Sequence, residues 1–332
     1  MNRDRLISYV ATLVGACAVL LSSCVAAPAA SNVPAPAAQS APVDAGSTSA
    51  GVPRTICMTT FSLQIGYFQS SVAGAQKAAD ELGVKLVVQD PQADAGKQVT
   101  LIEDCLSMKP DALIVDPIES SSLAGVLKEA ADKGIPVATL DTPVDSPAIV
   151  TWIGVPQYEA SYGFCEFMGG WIIGKLNASA KIGIMLASTE VQLARRDGCV
   201  AALAAVPGAK VVAEGDGRNI LERATAEAED MLTAHPDINV IYATGDPQLQ
   251  GGLAAAAAQG RDIAFFGWDD IPEPFLKPLE EGRIVGFMKQ KPDVGGYTAV
   301  TLLNDHLNGK TIPARFTYNP DVVTQGNVEK FK

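Results

Sequence analysis

From residue 55 onward the chain alternates short, mostly apolar runs with amphipathic stretches of helical length, and this alternation constrains its fold more than any other feature. The runs at 55–60, 84–89, 112–115 and 136–140 carry apolar residues on both faces, as strands buried in a parallel sheet do. Helical stretches at 67–82, 95–108 and 121–133 lie between them, and Gly83 and Gly134 close the first and third. Strand, helix and parallel strand make right-handed βαβ units. A short linking strand at 149–153 leads into a second series. It has helices at 158–176, 192–205, 221–234, 249–259, 273–281 and 293–307, and strands at 181–186, 209–214, 239–243, 263–267 and 284–288. The tail, 311–324, reads as extended. The expected fold is α/β, with two doubly wound parallel-sheet domains joined by a hinge and separated by a cleft. Functional groups then gather beyond the carboxyl ends of the strands, and the cleft suits a small molecule.

The rhythm does not reach the first 53 residues. Arg3 and Arg5 precede an apolar run at 6–21, too short to span a membrane comfortably but suited to a secretory signal. The run ends in Leu21-Ser22-Ser23-Cys24, which resembles a bacterial lipobox with Cys24 as the lipidated residue. Residues 25–53 are almost only Ala, Pro, Ser, Val, Gly and Thr and cannot pack a core, so they read as a tether. The expected division is a signal at 1–23, a lipidated cysteine and linker at 24–53, and a folded part at 54–324.

The folded part can bury a sizeable core, because 48% of the 332 residues are hydrophobic and 19% charged. The net charge of -12 argues against nucleic acid, which needs a cationic face. Beyond Cys17 and Cys24, four cysteines remain: Cys57, Cys105, Cys165 and Cys199. An even number in an exported chain suggests two disulfides, with buried thiols as the alternative. No close C-x-x-C pair points to zinc, and neither His235 nor His306 has a partner that suggests metal or catalysis. Nucleophile elbow, Walker loop and zincin motifs are absent from the sequence. No enzyme activity, cofactor or metal is expected.

At the predicted strand ends stand Phe61, Tyr67 and Phe68 after the first strand, and Asp141-Thr142 after the fourth. In the second half come Arg195, Gly245-Asp246, Trp268-Asp269-Asp270 and Lys289-Gln290. Aromatic rings, carboxylates, an amide and an arginine make the chemistry of a polyol site. Rings cover the C–H faces of a sugar, and buried polar groups penalise a ligand that lacks the matching hydroxyl.

The segment 67–83 resembles the first helix of ribose-type periplasmic binding proteins. So do Pro136-Val137-Ala138-Thr139-Leu140-Asp141, Leu232-Thr233-Ala234-His235-Pro236-Asp237, Phe266-Gly267-Trp268-Asp269 and Gln290-Lys291-Pro292-Asp293 in their order and spacing. The chain is thus similar to a class I sugar-type solute-binding protein of an ABC transporter, in lipoprotein form. The resemblance implies the periplasmic binding protein-like fold, with lobe I at about 54–153 and 291–318 and lobe II at about 154–290 and 319–332. It assigns ring stacking to Tyr67 and Phe68, ligand carboxylates to Asp141 and Asp269, a hinge-side amide to Gln290 and the ligand arginine to Arg195. Phe61 and Asp246 join the ligand set. The chain departs from the ribose pattern at Thr142, where the family has Arg, and at Gly245, where it has Asn. Ile65 and Phe61 replace an early Asn and Ser. A pocket more apolar and less cationic than a ribose pocket is expected, for a different pentose, a deoxy sugar, a sugar alcohol or a non-sugar.

Cys57 and Cys105 also sit where the periplasmic sensor of the trimethylamine N-oxide system carries cysteines. With that second resemblance, a bridge Cys57–Cys105 is expected within the first domain, and a further expectation is a bridge Cys165–Cys199 between two helices of the second. The expected function is capture of a small sugar or polyol in the cleft and delivery to an ABC permease. The alternative is a sensor for a small osmolyte or amine oxide that signals to a histidine kinase or chemoreceptor. The protein is expected to be exported, lipid-anchored, monomeric and free of nucleic acid.

Overall fold

The computed structural model describes residues 53–271 and 273–332. The expected signal at 1–23, Cys24 and all of the expected linker but Pro53 lie outside the described residues. The first half of the fold runs β1 (Thr55–Thr59), α1 (Gly66–Leu82), β2 (Lys85–Gln89), α2 (Ala95–Ser107), β3 (Ala112–Val115), α3 (Ala124–Asp132), β4 (Val137–Leu140) and β5 (Ile149–Gly154). The second runs α4 (Gln157–Leu176), β6 (Ala180–Leu186), α5 (Glu190–Leu203), β7 (Ala209–Asp216), α6 (Leu221–Ala234), β8 (Val240–Ala243), α7 (Asp246–Ala258), β9 (Ala264–Asp269), α8 (Glu273–Glu280) and β10 (Ile284–Lys289). Helix α9 (Pro292–Leu307), β11 (Arg315–Thr317) and β12 (Asp321–Val323) follow.

Among the described residues the strands form two six-stranded sheets, ordered β11-β5-β4-β3-β1-β2 and β12-β10-β9-β8-β6-β7. The first is parallel throughout, and in the second only β12 runs antiparallel, against β10. Strands β3, β4 and β8 are buried on both faces, as their unbroken apolar runs require. The expected linking strand at 149–153 is a full member of the first sheet, between β4 and β11. Among the described residues the chain passes between sheets at three places: from β5 to α4, from β10 to α9, and from β11 to β12.

Local chemistry sets the helix limits. Gly83 ends α1 in the left-handed conformation, with φ of 66°. Asp94 and Thr189 cap α2 and α5 by accepting from Lys97 N and Gln192 N. The helix expected at 121–133 is split into a 3-10 turn over Ser120–Leu123 and α3. There Ser122 Oγ donates to Glu119 O and Ser121 Oγ to Glu119 Oε1, competing with the helical ladder. Helix α7 begins at Asp246 rather than 249, because Pro247 is tolerated in a first turn.

Helices α1 and α9 cross at backbone contact. A Cβ on Gly74 would stand 1.9 Å from Asp293 O, and one on Gly296 would stand 1.9 Å from Ser71 O, so only glycine fits either place. This crossing returns α9 to the first sheet after the chain has built the second. Two disulfides tie helices in place. Cys57 on β1 joins Cys105 on α2, and Cys165 on α4 joins Cys199 on α5.

Candidate functional site

Strand order reverses about β1, which lies between β2 and β3, and about β6, which lies between β7 and β8. The loops beyond these reversals part to opposite sides and leave a crevice at each sheet's carboxyl edge. The two crevices face each other. Ser70 Oγ of α1 donates to Asp270 Oδ2 at 2.8 Å, and Ser120 Oγ meets Glu190 Oε1, so the lobes are in contact around the space between them. That space is a cavity lined by residues of both lobes, at the position where small-molecule sites are commonly found.

Lobe I supplies the aromatic wall. Phe61 stacks on Phe68 with centroids 5.1 Å apart, and Tyr67 meets Phe68 edge-on at 5.0 Å. Ile65 completes the apolar side. The same lobe adds two carboxyls at strand ends, Asp116 after β3 and Asp141 after β4.

Lobe II supplies the polar wall: Gln192 and Arg195 on α5, Asn219 after β7 and Asp269 at the end of β9. Arg195 is nearly fully buried. Its Nε donates to Gln157 Oε1 at 2.8 Å, and its Nη1 donates to Thr244 O at 2.6 Å and Asp269 Oδ1 at 2.9 Å. Its guanidinium lies 4.6 Å over the Trp268 ring. Asp269 is held from three sides, since Gln290 Nε2 also donates to Oδ1 at 3.0 Å and Asp246 N to Oδ2 at 2.8 Å. Gln157, in the first turn of α4, donates through Nε2 to Asp141 Oδ1 at 2.7 Å. One amide thus links the carboxylate of lobe I to the arginine of lobe II.

The electrostatics follow from burial. Desolvation raises Asp141 from the ordinary carboxylate value of 3.8 to about 6; Arg195 and the Gln157 amide oppose the rise, and Asp269 adds to it. Asp116 is pushed well above its ordinary value by burial and then by Asp141. Burial alone would lower Arg195, but Asp269 and Asp141 lift it above its usual value. Tyr67 is raised by burial, Asp141 and Tyr318.

Of the residues expected from sequence, Phe61, Tyr67, Phe68, Asp141, Arg195 and Asp269 line the cavity together. Gln290 and Asp246 stand behind Asp269 and hold it, and Trp268 is the buried plate beneath Arg195. Arg195 sits in the second turn of α5, whereas its neighbour Arg196 points away to Glu214 and Asp197. Sequence reasoning missed Asp116, Gln192 and Asn219 on the wall and Gln157 behind it. Asp116-Pro117 could have been found, because it closes a predicted strand as Asp141 does.

Gly245 explains one departure from the ribose pattern. A Cβ there would stand 2.7 Å from Gln192 Nε2, 2.9 Å from Gln248 Oε1 and 3.2 Å from Asp269 Oδ2. Gln192 Nε2 and Gln248 Nε2 both donate to Asn219 Oδ1, at 2.6 and 3.1 Å. Amides carried by two helices occupy the room that a side chain at 245 would need. Among the described residues no group of His, Cys, Asp and Glu could hold a metal ion, and no helix is long and apolar enough to cross a membrane.

The periplasmic binding protein domain model matches residues 56–311, from β1 to beyond α9. The chain is 27% identical over 288 residues to the ribose import binding protein of Escherichia coli, covering 84% of this chain and 93% of that one. It is 26% identical over 258 residues to the ribose import binding protein of Bacillus subtilis, covering 78% and 83%. Among solved structures, a carbohydrate transporter solute-binding protein from Agrobacterium radiobacter in complex with D-arabinose has the same fold. It has a TM-score of 0.79 at 23% identity and covers 85% of this chain and 99% of that one. The sheet order, the facing crevices and the matched span lead to one assignment: the chain belongs to the periplasmic binding protein domain family.

Proposed function

We propose that the protein is an exported solute receptor that captures a small sugar or polyol between its lobes and delivers it to the permease of an ABC importer. One observation carries this reading: a cavity with stacked rings on one wall and hydrogen-bonding groups in fixed positions on the other. Rings take the C–H face of a polyol, while Asp141, Asn219 and Arg195 take its hydroxyls. The names of the relatives, ribose import binding proteins, agree with it. The three crossings between sheets form the hinge, and ligand bound to both walls favours the closed state. Cys24 would carry the lipid, with the 25–53 segment as a tether that keeps the receptor near its permease.

The test is a thermal-shift screen of sugars and polyols. A ligand at 100 times its Kd adds about 2.7 kcal/mol and shifts the melt visibly. The shift should vanish in Asp141→Ala and Asp269→Ala. A panel with no active sugar or polyol would end this reading.

A further inference from the structure

The charges on the cavity wall do not balance. Asp116, Asp141 and Asp269 face a single cation, Arg195. That cation is committed to lobe II, where it pairs with Asp269 and donates to Gln157 and Thr244. Asp269 in turn accepts three hydrogen bonds from within its own lobe and the adjoining hinge.

Lobe I is left with two carboxyls and little to hold them. Asp141 accepts one side-chain bond, from the neutral Gln157 amide. Asp116 is 2% exposed, and its Oδ2 is buried without a partner in the protein. Both carboxyls line the same cavity, and Asp141 raises the proton affinity of Asp116. The pair shares that cavity with the Phe61, Tyr67 and Phe68 rings. Two buried carboxyls are costly to ionise without a counter-charge. A hydroxyl can donate to them but brings no charge. An ammonium brings both, and the ring faces stabilise a cation further.

We propose that the ligand carries a cationic nitrogen that seats between Asp116, Asp141 and the lobe I rings, with hydroxyls directed to lobe II: an amino sugar or amino polyol rather than a neutral sugar. This rests on the reading of the cleft as a sugar site and narrows it. Protonation of one carboxyl is the alternative way to relieve the repulsion, and the experiment separates the two.

Isothermal titration near neutral pH would compare the amino and neutral members of matched pairs: glucosamine with glucose, galactosamine with galactose, mannosamine with mannose and serinol with glycerol. Choline serves as a cation without a sugar skeleton. At least one amino compound should bind tenfold or more tightly than its neutral parent, and Asp116→Asn should erase that preference. Neutral compounds that bind as tightly as their amino partners would overturn the proposal and leave the sugar reading standing. A preference that survives Asp116→Asn would overturn the seat assigned to the nitrogen. Binding of choline alone would keep the cation seat and remove the sugar reading, and binding of none would remove both. The wild-type comparison needs no variant, so it decides between amino and neutral ligands even where Asp116→Asn fails to fold.

Discussion

Arg195 Nη1 lies 2.9 Å from Asp269 Oδ1, in an ion pair whose arginine side chain is 2% exposed. Trp268 stacks beneath it, and Gln157 and Thr244 accept from its Nε and Nη1, so the guanidinium is held on several sides. Removing one member of a buried pair leaves the other charge uncompensated, which costs about 3–5 kcal/mol. Arg195→Met should therefore lower the urea midpoint by that equivalent, and adding Asp269→Asn should restore part of the loss. A single-variant loss below about 1 kcal/mol would show that the pair is not a structural element.

Gly245 should resist substitution although it lies in no tight turn. Gly245→Ala places a methyl within 3 Å of two amide groups that are themselves hydrogen-bonded to Asn219. Overpacking of this kind costs about 1–3 kcal/mol. Ligand affinity should fall with it, because Gln192 and Asn219 are on the cavity wall. Pairing Gly245→Ala with Gln248→Ala should recover stability more than affinity, as calorimetry with denaturation would show.

The ligand-free protein should become more stable on mild acidification. Asp141 and Asp246 are both raised from 3.8 to about 6, chiefly by burial. Between those values the folded state binds more protons than the unfolded one, so stability falls as pH rises from about 4 through about 6. Each group accounts for on the order of 2–3 kcal/mol across that window. Melting curves between pH 7 and pH 5 should move upward, and Asp141→Asn should flatten the trend. A flat wild-type profile would contradict the burial argument.

The disulfides should support stability and leave recognition alone. They close loops of 48 and 34 residues and lie in the core away from the cavity. Replacing Cys165 and Cys199 together by alanine should cost about 2–4 kcal/mol through the freed unfolded chain. The ligand's Kd should stay within about twofold. A large change in Kd would mean that the α4–α5 bridge also sets the position of Arg195.

The strands and most of the helices were legible because their signals are local: apolar runs, caps and glycine stops. Asp141 and Asp269 were legible because a polar residue at the carboxyl end of a buried strand stands at the sheet edge, where sites gather. Both adopt positive φ, 57° and 106°, which turns each carboxyl at its sheet edge. Gln157 and Gln192 in the first turns of helices, and Asn219 in the loop after β7, were not legible, since a polar residue there looks the same whether it faces solvent or a cleft. The role of Gly245 could not be read from its own neighbours either, because the groups that exclude a side chain there come from positions 192 and 248. Local sequence thus showed where chemistry could stand, and packing between distant helices decided which amide fills which gap.

Gln290 belongs to two mechanisms at once. It is the first residue past β10, on a crossing between the lobes, and its amide grips Asp269 while its backbone N–H donates to Asp269 O. The bearing on which the jaws turn is thus bolted to one of the teeth. On the proposed closure, a rotation at this crossing would pull on Asp269, the carboxylate assigned to the ligand's lobe II side. Under that proposal the grip and the gate would share one moving part, and the time a cargo stays aboard would be a property of the hinge as much as of the pocket.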